Sequence, residues 1–269
     1  MKWVPIIGVA VIILAIGAFF LMPSSVSAAI LYIESGTVEV NTGKGWVPAT
    51  DEMELKQGAQ IKTTEGEATV VLREGEIVHL QPNSEIKLDQ IGKTIKITQV
   101  AGETWNKVTK ISGVSEFSIE TPTTVATVRG TEFILNNEEL TVGEGEVDYG
   151  NKADKKQIKV KGHKKAMANL MTEEDMSEAD IAKMQKFPEK YIKALQKVRA
   201  REIKKQTKML KLAKNKETVD KDIDLMLKEV DEGKQDEEEI YHKAPSIMKP
   251  RLKRTYELTK EIKRMKAKQ

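Results

Sequence analysis

The chain has no cysteine, three histidines and few aromatics, with 5 Phe, 5 Tyr and 3 Trp in 269 residues. Without cysteine there is no disulfide framework, thiolate zinc site, iron–sulfur cluster or cysteine nucleophile. His79, His163 and His242 lie far apart in sequence, which argues against a multi-histidine metal site. Scarce aromatics leave Val, Ile, Leu and Met to build the core. They also leave no interleaved stacking platforms of the kind that single-stranded nucleic acids need. Gly-rich phosphate loops, Gly-x-Ser-x-Gly, His-Glu-x-x-His and calcium loops are missing too. No catalytic, cofactor-binding or metal-ligating residue is assigned. The chain reads as a non-enzyme, with no cofactor and no nucleic-acid partner expected.

The charge is unevenly distributed. The net value of +3 combines −9 over residues 1–150 with +12 over residues 151–269. Opposite signs in two parts of one chain point to two regions with different surroundings.

Trp3 to Met22 is one apolar run, WVPIIGVAVIILAIGAFFLM. Twenty helical residues reach about 30 Å, the thickness of a bilayer core. Lys2 precedes the run and no Lys or Arg follows until Lys44. The positive-inside rule then puts the N-terminus inside and the rest outside. Val26-Ser27-Ala28 also fits the small-residue pattern of a signal-peptidase site. Residues 1–28 are therefore expected to be a transmembrane anchor or a signal peptide. The chain is expected at the cell membrane as a single-pass protein, or secreted if cleaved after Ala28.

Residues 29–165 alternate apolar and polar side chains, with turn signals about every ten residues. Ile30–Ile33 and Thr37–Val40 flank Gly36; Thr69–Leu72 and Ile77–Leu80 flank residues 73–76; Glu85–Leu88 and Thr94–Ile97 flank Gly92-Lys93; Thr131–Leu135 and Glu139–Val142 flank residues 136–138. This is the pattern of half-buried strands. With one apolar side per strand, the region predicts an all-β roll, sandwich or solenoid that needs two layers or a closed coil.

These strands carry a family resemblance. Trp46, Leu55, Gly58, Ile61, Thr63 and then Ala68, Val70, Leu72, Leu80, Pro82 and Ser84 resemble the opening of the FecR domain. Ile95, Ile97, Val100, Gly102 and Trp105 resemble its middle. Phe117-Ser-Ile119-Glu-Thr121-Pro122, followed by Arg129-Gly130-Thr131-Glu-Phe133, is similar to its most specific piece. The resemblance runs over about residues 45–165. It implies an all-β extracytoplasmic domain, which in founding members passes a siderophore-transport signal across the membrane to a sigma factor. It marks Gly58, Thr63, Ser84, Gly102, Thr121, Pro122, Arg129, Gly130, Thr131 and Phe133 as signature positions with structural roles. Arg129 is expected to pair with Glu120 or Glu132, or to donate to carbonyls. His79 is expected to be a packed or surface residue. Only Met1 and Lys2 precede the apolar run, so no cytoplasmic anti-sigma domain is expected.

Residues 166–269 switch to a helical period. Ser177-Glu-Ala-Asp180 is a capping start, Pro188 suits a first turn, and Ile192, Leu195, Val198, Ile203, Met209 and Leu210 form a stripe with basic residues opposite. Ile223, Met226, Leu227 and Val230 precede a Gly233 cap. Asp236–Glu239 opens a short helix, and Leu258, Ile262 and Met265 mark a last one. A small antiparallel bundle is predicted for this Lys/Glu-rich C-terminal domain. The whole reads as an exported, membrane-anchored FecR-like binding or scaffold protein with an unknown protein or envelope partner. The alternative is an extracytoplasmic signal-transduction component acting through a membrane partner. The membrane is met by residues 3–22, and Lys249–Lys268 is a candidate for contact with an anionic surface.

Overall fold

The structure is a computed structural model that describes residues 29–72, 75–109, 114–206, 227–234, 236–243 and 249–267. The apolar run 3–22 and the cleavage pattern at 26–28 lie outside the described residues. No helix among the described residues is long and apolar enough to cross a membrane.

Among the described residues eighteen strands follow one another: β1 Ala29–Ser35, β2 Val38–Asn41, β3 Trp46–Pro48, β4 Met53–Leu55, β5 Gln60–Thr63, β6 Glu67–Leu72, β7 Glu76–Leu80, β8 Glu85–Ile91, β9 Thr94–Ala101, β10 Thr104–Lys107, β11 Glu116–Glu120, β12 Thr124–Val128, β13 Glu132–Leu135, β14 Glu139–Glu144, β15 Glu146–Asn151, β16 Gln157–Lys161, β17 Lys164–Met167 and β18 Glu173–Asp175. They form two nine-stranded sheets with no barrel closure. The first has the order β18-β17-β14-β13-β10-β7-β6-β1-β4. The second has the order β16-β15-β12-β11-β9-β8-β5-β2-β3. Strand structure thus continues past residue 165 to Asp175.

Of the roll, sandwich and solenoid foreseen, two facing sheets are what forms. Their inner faces share one core, which includes Leu31, Val70, Val78, Ile95, Ile97, Phe117, Phe133, Val147 and Tyr149. Phe117 and Phe133 meet edge-on across it at 6.5 Å. Gly36 was expected to join a pair of strands. It is instead a corner: β1 pairs with β4 and β6, whereas β2 pairs with β3 and β5 in the other sheet. Its φ of +61° suits glycine.

The two sheets differ on their outer faces. In the second, β2, β8, β9 and β12 bury every other residue, so one face meets water. In the first, β7, β10 and β13 are buried at every position. The expectation of one apolar side per strand therefore fails for this sheet. The cause is a helical layer. α1 Glu178–Met184 and α2 Phe187–Gln206 are followed by a helical stretch at 227–231, α3 Glu237–Lys243 and α4 Lys249–Lys266. α2 and α4 pack together, as the periodicity predicts. Yet they form no separate bundle. Phe187, Tyr191, Leu195, Val198, Leu258, Ile262 and Met265 share one cluster with Ile30, Tyr32, Val71, Ile77, Trp105 and Ile134 of the first sheet. The apolar stripe finds a sheet face to bury against before it needs more helices. The first sheet is therefore called the covered sheet, and the second the open sheet.

The expected caps are present. Ser177 Oγ accepts from Asp180 N, and Asp180 Oδ2 accepts from Ser177 N at 2.8 Å, a reciprocal capping box. Gly233, at φ +73°, closes the 227–231 stretch. Met209, Leu210, Ile223 and Met226 lie outside the described residues.

Gly102 sits at φ +80°, and a Cβ there would collide with Ser84 and the Asn83 carbonyl oxygen. Gly58 also has a positive φ, +89°, but open space around it. Both positions carry a backbone strain of about 1–3 kcal/mol for any other residue. Gly102→Ala is expected to cost a further ~1–3 kcal/mol from overpacking. Denaturant melts should therefore rank Gly102→Ala well below Gly58→Ala; equal losses would contradict the crowding.

Candidate functional site at the sheet–helix interface

The ionisable groups of the chain converge at the rim of the interface between the covered sheet and α2. Lys190, Lys193, Lys197 and Arg201 recur at intervals of three, four and four residues, so they share one side of α2. Lys190 Nζ meets Glu67 Oε2 at 2.6 Å, Lys197 Nζ meets Glu34 Oε1 at 3.0 Å, and Arg201 pairs with Glu54. Lys183, at the end of α1, pairs with Glu103. The acidic β region and the basic helical region thus neutralise each other along a line of contacts.

His79 lies at the centre of this line and is buried. Lys190 Nζ is 3.1 Å from His79 Nε2, and an ammonium can only donate, so Nε2 accepts. That assigns the ring proton to Nδ1, which donates to Thr69 Oγ1 at 2.9 Å. Thr69 Oγ1 in turn donates to Glu34 Oε1 at 3.4 Å. A closed chain runs from Lys190 through His79 and Thr69 to Glu34 and on to Lys197. The His79 and Trp105 rings lie 6.0 Å apart, Lys190 Nζ stands 5.0 Å over Trp105, and Phe187 stacks on Trp105 at 5.7 Å. The void among these groups is about 10 Å³, too small for a ligand.

Burial, and then the Lys190 charge, pull the His79 pKa down to about 4. Burial pushes the Glu67 carboxyl up, but the hydrogen bond and charge of Lys190 outweigh it and leave the group below the usual carboxylate value. A neutral imidazole with both nitrogens engaged has no lone pair to offer a substrate. It is a structural histidine, of the packed kind the sequence reading favoured.

A second buried group lies nearer the Ala29 end of the sheet. Lys107 Nζ meets Glu132 Oε2 at 2.8 Å and Glu144 Oε2 at 3.0 Å, 5.9 Å from the centre of the Tyr191 ring. Burial, and then Glu261, push the Tyr191 hydroxyl well above its ordinary pKa. Within the helical layer, buried Arg199 reaches Asp231 Oδ2 at 2.6 Å, where Gln196 also donates at 3.0 Å. An open groove of about 440 Å³ runs beside this pair, between Ala200, Leu227 and Lys266.

The signature residues stand apart from this interface, mostly at the turns. Thr63 Oγ1 donates to Gln81 O at 2.7 Å and accepts from Ser84 N at 3.0 Å. Ser84 Oγ donates to Glu103 O at 3.0 Å, beside Gly102. Thr121 Oγ1 accepts from Thr124 N at 2.9 Å, with exposed Pro122 between them in the turn. Gly130 has φ +75°, and Thr131 Oγ1 donates to Glu146 O at 3.0 Å. Gly58 N donates to Leu88 O at 2.7 Å, and Phe133 is in the core. Arg129 does not make the expected pairs. It is exposed, Glu120 is held by Lys152 at 3.0 Å, and Glu132 is held by Lys107. Lys107 comes from a neighbouring strand in the same sheet, which places it at Glu132 better than a turn residue can be.

Sequence reasoning missed Glu67, Lys190 and Lys107, and it offered Glu132 to Arg129 rather than to Lys107. The three-and-four spacing of cations on α2 was readable. Their acidic partners, 123 and 163 residues away for Lys190 and Lys197, were not.

The family model described as FecR protein matches residues 59–148, about a third of the chain. The segment is similar to the FecR domain, and the match is narrower than the 45–165 over which the motifs run. Two crystal structures of a candidate anti-sigma factor from Parabacteroides distasonis, at 1.65 and 2.50 Å, are similar at 15% identity and a TM-score of 0.37. The similarity covers 44% of this chain and 59% of that one, so the chain spans about three fifths of the length of those solved chains. No curated protein matches the chain.

Two outcomes follow from the buried groups. A histidine with a lowered folded pKa stabilises the fold above its unfolded value and loses that contribution as pH falls. Stability is expected to drop between about pH 6.5 and pH 4, by roughly 3 kcal/mol at most for His79. Thermal melts of His79→Gln should show a flatter slope in that window. Lys107→Met should cost about 3–5 kcal/mol by stranding Glu132, and Lys107→Met with Glu132→Leu should recover most of it. A harmless Lys107→Met would contradict the pairing.

Proposed function

We propose that this FecR-domain chain is an exported, membrane-anchored protein that acts by binding, as a scaffold outside the cytoplasm, rather than by catalysis. The observation that carries the reading is how its buried ionisable groups are used. Buried His79 and half-buried Glu67 both engage Lys190 at the contact between sheet and helix, and buried Lys107 and Glu132 pair with each other within the covered sheet. Groups committed in this way serve the architecture. The apolar run Trp3–Met22 and the unbroken absence of Lys and Arg up to Lys44 support the anchor and its orientation.

A second reading has its own support. The rim of ion pairs between α2 and the sheet can be opened by a competing charged surface, and the resemblance implies signalling in founding members of the family. A signal-transduction component would use its anchor to contact a partner's span. Gly8, Ala10, Ala15, Gly17 and Ala18 supply small residues for such contact.

Protease added to intact cells is expected to cut within the Lys-rich 249–268 segment. Full protection there, while an external control protein is cut, would overturn the topology. Replacing residues 3–22 by an unrelated apolar span separates the two readings. A scaffold keeps its co-purifying partners, as read by mass spectrometry, whereas a signalling component loses those that it holds through the membrane.

A further inference from the structure

The strand registers determine which loops share an end of the sandwich. Ala29 lies opposite Leu55 and Leu72, Ile77 opposite Lys107, and Lys107 opposite Glu132. The connections from this end of the covered sheet to the open sheet include residues 56–59, 129–131 and 162–163. The turns at 42–45 and 92–93 of the open sheet fall at the same end, since Asn41 is opposite Gln60 and Trp46, and Thr94 is opposite Glu116. Each of these five connections carries or adjoins one exposed cation: Lys44, Lys56, Lys93, Arg129 and Lys161.

None of the five makes an ion pair among the described residues. By contrast, Lys62, Lys87, Lys152, Lys159 and Lys164 each hold a carboxylate. Among the described residues at the Ala29 end, the carboxylates of Glu144, Glu146 and Asp175 are held by Lys107, Lys159 and Lys164, while Glu116 is an exposed counter-charge. The opposite end presents Glu65 and Glu138 at its turns. α4 adds to the cationic end. Its Leu258 packs beside Gly75 in the β6–β7 turn, and Lys253, Lys260 and Arg264 are exposed along it. Free cations are therefore gathered where β1 begins.

Six residues, 23–28, separate Met22 from Ala29. Fully extended they reach about 20 Å. An anchor at 3–22 thus tethers this end of the sandwich, and not the other, close to the membrane.

We propose that the Ala29 end of the sandwich, together with α4, rests on the anionic lipid headgroups of the membrane that holds the anchor. The proposal rests on the anchored reading above and adds to it. A tether alone leaves the domain free to tumble, whereas the cationic end sets which way it faces. Each Lys or Arg near an anionic surface adds about fivefold to binding. The contact directs the opposite end, with its Glu65 and Glu138 turns, away from the membrane, towards any partner.

The test uses the full chain in lipid nanodiscs, one set of phosphatidylcholine alone and one with a third phosphatidylglycerol. Lysines are acylated with an amine-reactive probe and read by mass spectrometry. Lys44, Lys56, Lys93 and Lys161 should label at least about threefold more slowly in the anionic discs, and high salt should abolish the difference. Lys155, at the opposite end, should label equally in both. Equal labelling of all five lysines in discs that carry the chain would overturn the proposal and leave the anchor standing. A chain that co-elutes with neither disc would overturn the anchor, and the orientation with it.

Discussion

One face of the covered sheet cannot meet water. Its centre is apolar, through Ile30, Tyr32, Val71, Ile77, Trp105 and Ile134, and its margin carries Glu34, Glu67, Glu103, His79 and Lys107. Any cover must bring both hydrophobic area and opposite charge. α2 brings both on adjoining sides: Phe187, Tyr191, Leu195 and Val198 fill the centre, while Lys190, Lys197 and Arg201 meet the margin. The apolar area supplies the driving force, since half-exposed ion pairs contribute little individually. The pairs fix where the helix lies, because a buried or half-buried charge moved off its partner is costly.

This arrangement explains the charge asymmetry of the chain. The acidic excess of the β region and the basic excess of the helical region are partly spent on each other, through the residues of α1 and α2. The last helix, α4, is different. Among its described cations Lys253 and Lys260 are exposed, whereas Arg254 pairs with Glu202 of α2, Arg264 with Glu261, and Lys266 donates to Asp231 O.

Much of the β layer was legible. Strands with clean alternation, such as Thr94–Ala101, became the open sheet with one face in water. Runs such as Glu76–Leu80 and Glu132–Leu135 are apolar on both sides, a sign of burial on both faces that the expectation of half-buried strands passed over. Pairing of β6 with β7, β8 with β9 and β13 with β14 followed from turn residues, because those contacts are local. The corner at Gly36 was misread as a hairpin, since a glycine turn signals a change of direction and not which sheet the chain enters next. The polar rim was not legible. Its pairs join residues 80 to 163 positions apart, and the sequence carries no local mark of which Glu a given Lys will meet. The signature Thr and Ser residues fall at turns because their hydroxyls cap backbone groups that no strand partner satisfies, and the signature glycines because the turns need their positive φ.

The central claim is that the helices and the covered sheet are one cooperative unit rather than a β domain with a separate helical domain attached. Native-state hydrogen exchange of the full chain across sub-denaturing concentrations of denaturant tests this most directly. The account predicts that amides of α2 and of β7 and β10 converge on a single opening free energy. Exchange of α2 at much lower free energy, with β7 and β10 still fully protected, would contradict it.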